Sequence, residues 1–153
     1  MIKQLWWKSR AASSYWLARR LFHWPWALKQ PSLWRWMEGQ YARMAALGNV
    51  GAQSFYGHIL LFRGQGLGAR EEGLRLLRLA GRAGDAKAAY QVAVQADKGQ
   101  GLAVRNCAEA VEFFTRAHEA GHPLAARHLH RLYLEGGPGM EPDMQQAKRF
   151  EGL

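Results

Sequence analysis

The chain has 153 residues, enough for one compact domain or one short repeat array. It is 48% hydrophobic and 22% charged with a net charge of +9, a balance that supports a folded core and argues against disorder. Its one cysteine, Cys107, excludes an internal disulfide and a cysteine-based zinc site, and no run of about 18 apolar residues offers a transmembrane helix.

The leading segment, residues 1–45, is set apart by its content. All seven tryptophans (Trp6, Trp7, Trp16, Trp24, Trp26, Trp34 and Trp36) lie in the first 36 residues, and residues 1–40 carry +6 of the +9. Lys8, Arg10, Arg19 and Arg20 interrupt the apolar residues, so the h-region of a signal peptide is missing and the chain reads as cytoplasmic. Ala12, Tyr15, Trp16, Leu21 and Phe22 line up with Ala52, Phe55, Tyr56, Leu61 and Phe62 further along the chain, as in a degenerate leading unit. Trp24 to Pro31 then breaks the pattern, and Ser32 is placed to cap a second helix through Met37, Tyr41, Met44 and Ala45.

The segment admits several readings. Its tryptophans could form the core of a degenerate helix pair that covers the first regular repeat. With Arg19 and Arg20 they could instead form a surface for a protein partner, for an anionic membrane or, less favoured, for nucleic acid. A terminal unit normally shows a polar outer face, and seven tryptophans in two helices exceed what one buried face readily hides.

Residues 46–153 repeat. Gly48, Gly84 and Gly121 stand 36 and 37 residues apart, each where a helical pattern ends. Ala52, Ala88 and Ala125 stand four residues later, and Gly73, Ala110 and Ala147 form a third series. A fourth is the mid-repeat glycine pair at Gly64 and Gly66, Gly99 and Gly101, Gly136 and Gly137. Each unit reads as a helix A that starts near the alanine, a glycine turn, and a helix B. Asn106 and Asp143 are placed to cap helix B in the second and third units. The units run at about 48–84, 85–121 and 122–153, the last with a helix B of about nine residues. One hairpin cannot bury both faces, so the units must stack.

These positions resemble the Sel1-like repeat family, relatives of the tetratricopeptide repeats. The second unit matches at Ala88, Gly99, Gly101, Ala110, Phe113, Phe114, Ala117 and Gly121. The third matches at Ala125, Leu129, Tyr133, Gly136 and Ala147, and the first less fully, with Gly73 in place of the helix B alanine. The resemblance implies an all-α solenoid of helix-turn-helix repeats and a non-catalytic role as a scaffold or adaptor that binds another protein or peptide. It also implies that helix A lines the concave surface, which puts Phe55, Gln91 and His128, then His58, Val94 and Arg131, on one contact stripe. Trp6, Trp7, Arg19 and Arg20 are the candidate contacts of the leading segment. The short last unit could in addition stack on a second copy of the chain.

Other motifs carry less. Gly64-Gln65-Gly66-Leu67-Gly68 looks like part of a dinucleotide loop, but a helical pattern precedes it and its glycines recur one repeat on. His118 and His122 have metal-ligand spacing for one helix, yet Gly121 and Pro123 interrupt it, and His128 and His130 point to different faces. Cys107 has no base in reach by sequence, and Glu71, Glu72, Glu109 and Glu112 read as solvated charge. No catalytic residue, cofactor or metal is expected.

Overall fold

The computed structural model describes residues 2–99 and 104–153, with side chains from Ser9 onward. The side chains of Trp6 and Trp7, and all of Gly101, lie outside the described residues. Among those described, every regular element is a helix: α1 (Ile2–Leu21), α2 (Pro25–Lys29), α3 (Pro31–Ala46), α4 (Val50–Arg63), α5 (Gly66–Arg82), α6 (Ala86–Lys98), α7 (Cys107–Glu119), α8 (Ala125–Glu135) and α9 (Met144–Arg149). They fall into two compact units, residues 1–76 and 77–153.

The repeat glycines do the same work three times. At Gly48, Gly84 and Gly121 φ is +82°, +99° and +85°, a left-handed conformation that penalises any Cβ. Each closes a helix by a pair of crossed hydrogen bonds. Gly48 N–H donates to Ala45 and Asn49 N–H to Met44, and the same pattern recurs from Gly84 and Asp85 and from Gly121 and His122. In the first two cases the next residue also starts another helix. Asn49 Oδ1 accepts from Ala52 N–H at 2.8 Å and Asp85 Oδ1 from Ala88 N–H at 2.7 Å. One dipeptide therefore ends a helix and begins another. The third case departs from this, because His122 is succeeded by Pro123 and α8 starts without a side-chain cap. Asn106 and Asp143 cap α7 and α9 as expected, through Glu109 N–H and through Gln145 and Gln146 N–H.

The helix packing in each unit tracks the small-residue series. In unit 1, α1 buries Ala11 and Ala18 against Met37, Tyr41, Met44 and Ala45 of α3 and Ala52, Ile59 and Leu60 of α4. Tyr41 Oη donates to the Ala18 carbonyl at 2.7 Å, which ties α3 to α1, and burial pushes the Tyr41 phenol up to about 12. In unit 2, α6 lies against α7, α7 against α8, and α8 against α9. Ala88, Ala89, Val92 and Ala93 form the buried face of α6, and Ala110, Phe113, Phe114 and Ala117 that of α7. Alanines on one helix leave room for phenylalanines on the next.

Gly73 has a structural reason. A Cβ there would lie 2.8 Å from Leu61 N and 2.9 Å from the Gly57 carbonyl oxygen, so α5 crosses α4 more closely than an alanine permits. The equivalent Ala110 and Ala147 are buried with their methyl groups accommodated.

Three details differ from expectation. Ser32 is not a cap: Pro31 takes the first helical position of α3, and Gln30 stands at the cap without a side-chain hydrogen bond to the first turn. The break at Trp24–Pro31 contains a helix of its own, α2, because Pro25 also suits a first helical position. The last helix has six residues, since Phe150 takes the cap position and turns the chain.

Candidate interaction surface

The expected stripe is built differently in the two units. In unit 1, Phe55 is half-buried in an aromatic cluster. Its ring meets Tyr41 edge-on at 5.1 Å and Phe22 at 5.2 Å, and the Arg19 guanidinium lies 4.5 Å above it. Residues of the leading segment therefore cover Phe55, and Arg19 joins it there. His58 sits one turn on, its Nδ1–H donating to the Ser54 carbonyl at 2.7 Å and its ring stacked 6.3 Å from the exposed Phe62.

In unit 2, His128 and Arg131 come together. With Leu124 and Arg127 they line a cleft of about 260 Å³. His128 is clamped: its ring stacks on Phe114 at 4.6 Å, and its Nε2 shares a 3.1 Å hydrogen bond with Tyr90 Oη. His128 Nδ1 is buried without a partner, so a proton placed there would be unsatisfied. Burial foremost, with Arg131 beside it, holds the imidazole below its ordinary pKa and keeps it neutral. His122 stacks on the other side of the cluster, 3.9 Å from the Tyr90 ring, and is also shifted down, by burial and by Lys87.

Arg131 is held from both sides. It pairs with Asp97 on α6 and with Glu135 at 3.1 Å on its own helix. Asp97 also accepts from Arg105, whose guanidinium lies 2.8 Å away, so one carboxylate that is 11% exposed fastens the residues before α7 and the start of the cleft at once. Gln91 and Val94 are half-buried on α6.

Sequence reasoning did not find Tyr90, Asp97, Leu124 or Arg127. Tyr90 and His128 are 38 positions apart and meet only through packing. Asp97 occupies a register that holds Leu61 and Leu134 in the other repeats, so the repeat pattern points to an apolar residue there.

The tryptophans face water more than core. Trp16, Trp24, Trp26 and Trp36 are 61%, 52%, 54% and 38% exposed, and only Trp34 is half-buried among those whose side chains are described. The core of the leading segment is instead alanine, methionine and tyrosine. Cys107 is buried, with Gly137 packed on its sulfur so closely that a Cβ would lie 2.5 Å from Sγ. No helix among the described residues is long and apolar enough to cross a membrane.

Neither a family model nor a curated protein matches the sequence. Solved structures do. A Sel1 repeat protein from Oxalobacter formigenes superposes with a TM-score of 0.64 at 25% identity, over 74% of this chain and 46% of that one. The fold is the Sel1-like repeat fold. A protective antigen of uropathogenic Escherichia coli that displays this fold superposes with a TM-score of 0.62 at 18% identity, over 74% of this chain and 24% of that one. The chain thus spans less than half the length of either Sel1-like repeat structure.

Proposed function

We propose that the chain is a non-catalytic scaffold that binds another protein through its Sel1-like repeats, with residues 46–153 as the array and residues 1–45 as a leading segment. The observation that carries this reading is the cleft of unit 2, whose side chains are fixed before any partner arrives. Asp97 and Glu135 hold Arg131, and Tyr90 and Phe114 hold His128. Ordering these groups on binding then costs little entropy. Leu124 adds an exposed apolar contact and Arg127 an exposed cation. That mixture suits a peptide or loop that presents an apolar side chain beside a carboxylate, and suits a polyanion less.

Site-specific photocrosslinking tests the reading. A crosslinking residue at Arg127 is expected to capture a discrete protein from extracts of the source cells, in competition with excess unlabelled chain. The same residue at Ala108, exposed on α7, is expected to capture none. Equal capture at both positions by a chain whose circular dichroism shows intact helices would overturn the assignment.

A further inference from the structure

Unit 1 carries a second surface whose chemistry differs from the cleft. Helix α1 buries the side of Ala11, Ala18 and, in part, Tyr15. Its opposite side presents Trp16, Leu17 and Arg20, all exposed, and Arg20 lies over the Trp16 ring at 5.5 Å. Trp16, Arg19, Arg20 and His23 line one shallow depression of about 420 Å³ with Tyr15. The chain then turns directly into Trp24 and Trp26, whose rings stand 6.2 Å apart. Residues 16–26 thus form a strip along the chain that exposes three indoles, a leucine and two arginines.

The sequence around it is poor in acids. The first 70 residues contain one acid, Glu38, and residues 1–37 hold seven basic residues and none that is acidic. Glu38 itself lines a different cavity, with Trp34 and Arg63. The strip therefore calls for an anionic partner that also takes up apolar side chains. Indole rings settle where an apolar body and a polar N–H are both satisfied, at the headgroup level of a bilayer, and arginine there meets phosphate. A nucleic acid would satisfy the cations and stack on the indoles but would leave Leu17 in water.

We propose that the Trp16–Arg20–Trp24–Trp26 strip docks unit 1 peripherally on an anionic lipid bilayer. The indoles and Leu17 enter the headgroup boundary, and Arg20 with the neighbouring basic side chains faces the lipid phosphates. This docking uses none of the residues of the unit 2 cleft, so a chain that binds vesicles and no protein, or the reverse, would separate the two assignments.

Vesicle flotation with the full chain tests it. The chain is expected to float with phosphatidylcholine vesicles that contain phosphatidylserine, and much less with phosphatidylcholine alone, while its tryptophan emission shifts to the blue. The variant W16A/W24A/W26A is expected to partition at least about tenfold more weakly, and R20E to show a smaller loss that vanishes at high salt. All four positions are exposed, so circular dichroism of both variants should match the parent. The proposal is overturned if the folded parent does not float with the anionic vesicles, or if the triple variant floats equally well. It is also overturned if a single-stranded oligonucleotide binds in preference, with an affinity that falls steeply with salt; the strip is then a nucleic-acid surface.

Discussion

In unit 2, Asp85, Asn106 and Asp143 lend a side-chain oxygen to the first turn of α6, α7 and α9 and only α8 goes without, whereas in unit 1 Asn49 caps α4 but α2 and α3 begin on Pro25 and Pro31 with no side-chain cap. The ionic chemistry divides the same way. Unit 2 braces its helices across the fold, Arg78 to Glu109 at 2.6 Å, Arg82 to Glu112 at 3.8 Å, and Asp97 to Arg105 and Arg131. The first 70 residues cannot do this, because Glu38 is their only acid, and their core is held by Tyr41 and the rings around it. Unit 2 thus spends arginines on ion pairs between elements, while unit 1 pairs Arg75 with Glu72 on one helix and lays Arg19 and Arg63 on aromatic rings. The same repeat architecture can set its arginines against acids or against rings, and the position of the acids decides which.

The sharpest way to break that comparison is to remove Asp97. D97A leaves Arg105 and Arg131 without the carboxylate that joins them, in a site where that carboxylate is almost covered. The guanidinium groups are about a third exposed, which softens the loss, so the expected cost is about 2–3 kcal/mol. E38Q, which removes the one acid of the first 70 residues, should change stability by less than about 0.5 kcal/mol. Denaturant titration reads both variants. All seven tryptophans lie in residues 1–36, so their emission reports unit 1 while circular dichroism reports both units. D97A should lose part of its helical signal at lower denaturant than its tryptophan transition. Coincident, equally shifted transitions would show that the two units unfold as one.

A second contrast concerns one repeat position. Glycine to alanine inside a helix ordinarily gains about 1 kcal/mol. At Gly73 the new methyl would meet Leu61 N and the Gly57 carbonyl at under 3 Å, backbone atoms that cannot step aside, so G73A is expected to cost about 2 kcal/mol. The reciprocal change, A110G in unit 2, removes a buried methyl and loosens the helix, for a cost of about 1–2 kcal/mol. Both should destabilise although they run in opposite directions. A stabilised G73A would mean that α5 and α4 are not in close contact at Gly57 and Leu61.

The features legible in the sequence were those set by local chemistry and repeated. Gly48, Gly84 and Gly121 mark left-handed helix ends, and Asn106 and Asp143 mark helix starts, because each acts within a few residues of itself. Ser32 misled because Pro31 beside it competes for the start of the same helix and wins by its fixed φ. The candidate surface was less legible. The repeat register placed His128 and Arg131 on one stripe, but what holds them, Tyr90 and Asp97, comes from another helix and, for Asp97, from a position where the other repeats carry leucine. Phe55 sat in the correct register and was nonetheless covered, because the leading segment packs Phe22 and Arg19 on it. Periodicity reports which face a residue occupies, not what else reaches that face.

The smallest expected effect is a pH dependence that separates the histidine cluster of unit 2 from α1, α3 and α4 of unit 1, since Glu72, held down by its hydrogen bond from Arg75, titrates below the ordinary carboxylate range. Burial lowers the pKa of His128, and the same cause, with Lys87, lowers that of His122. The unfolded chain therefore binds more protons than unit 2 does just below the ordinary histidine value, and stability present at neutral pH is lost as the pH falls through that value toward the folded ones. Arg131, Arg127 and Lys87 oppose the new charge and Asp97 favours it, with burial deciding the direction. In unit 1 burial raises Glu38, so the folded form holds its proton more tightly and that contribution grows on acidification and is lost as the pH rises. Tyr41, pushed up to about 12, does not titrate in this range. Hydrogen exchange measured at neutral and mildly acidic pH, corrected for intrinsic rates, should show protection falling in α6, α7 and α8 and not in α1, α3 and α4. H128Q should remove a large part of the fall. A loss of protection that is equal in both units, or that H128Q leaves unchanged, would place the acid sensitivity outside the Tyr90–His128–Phe114 cluster.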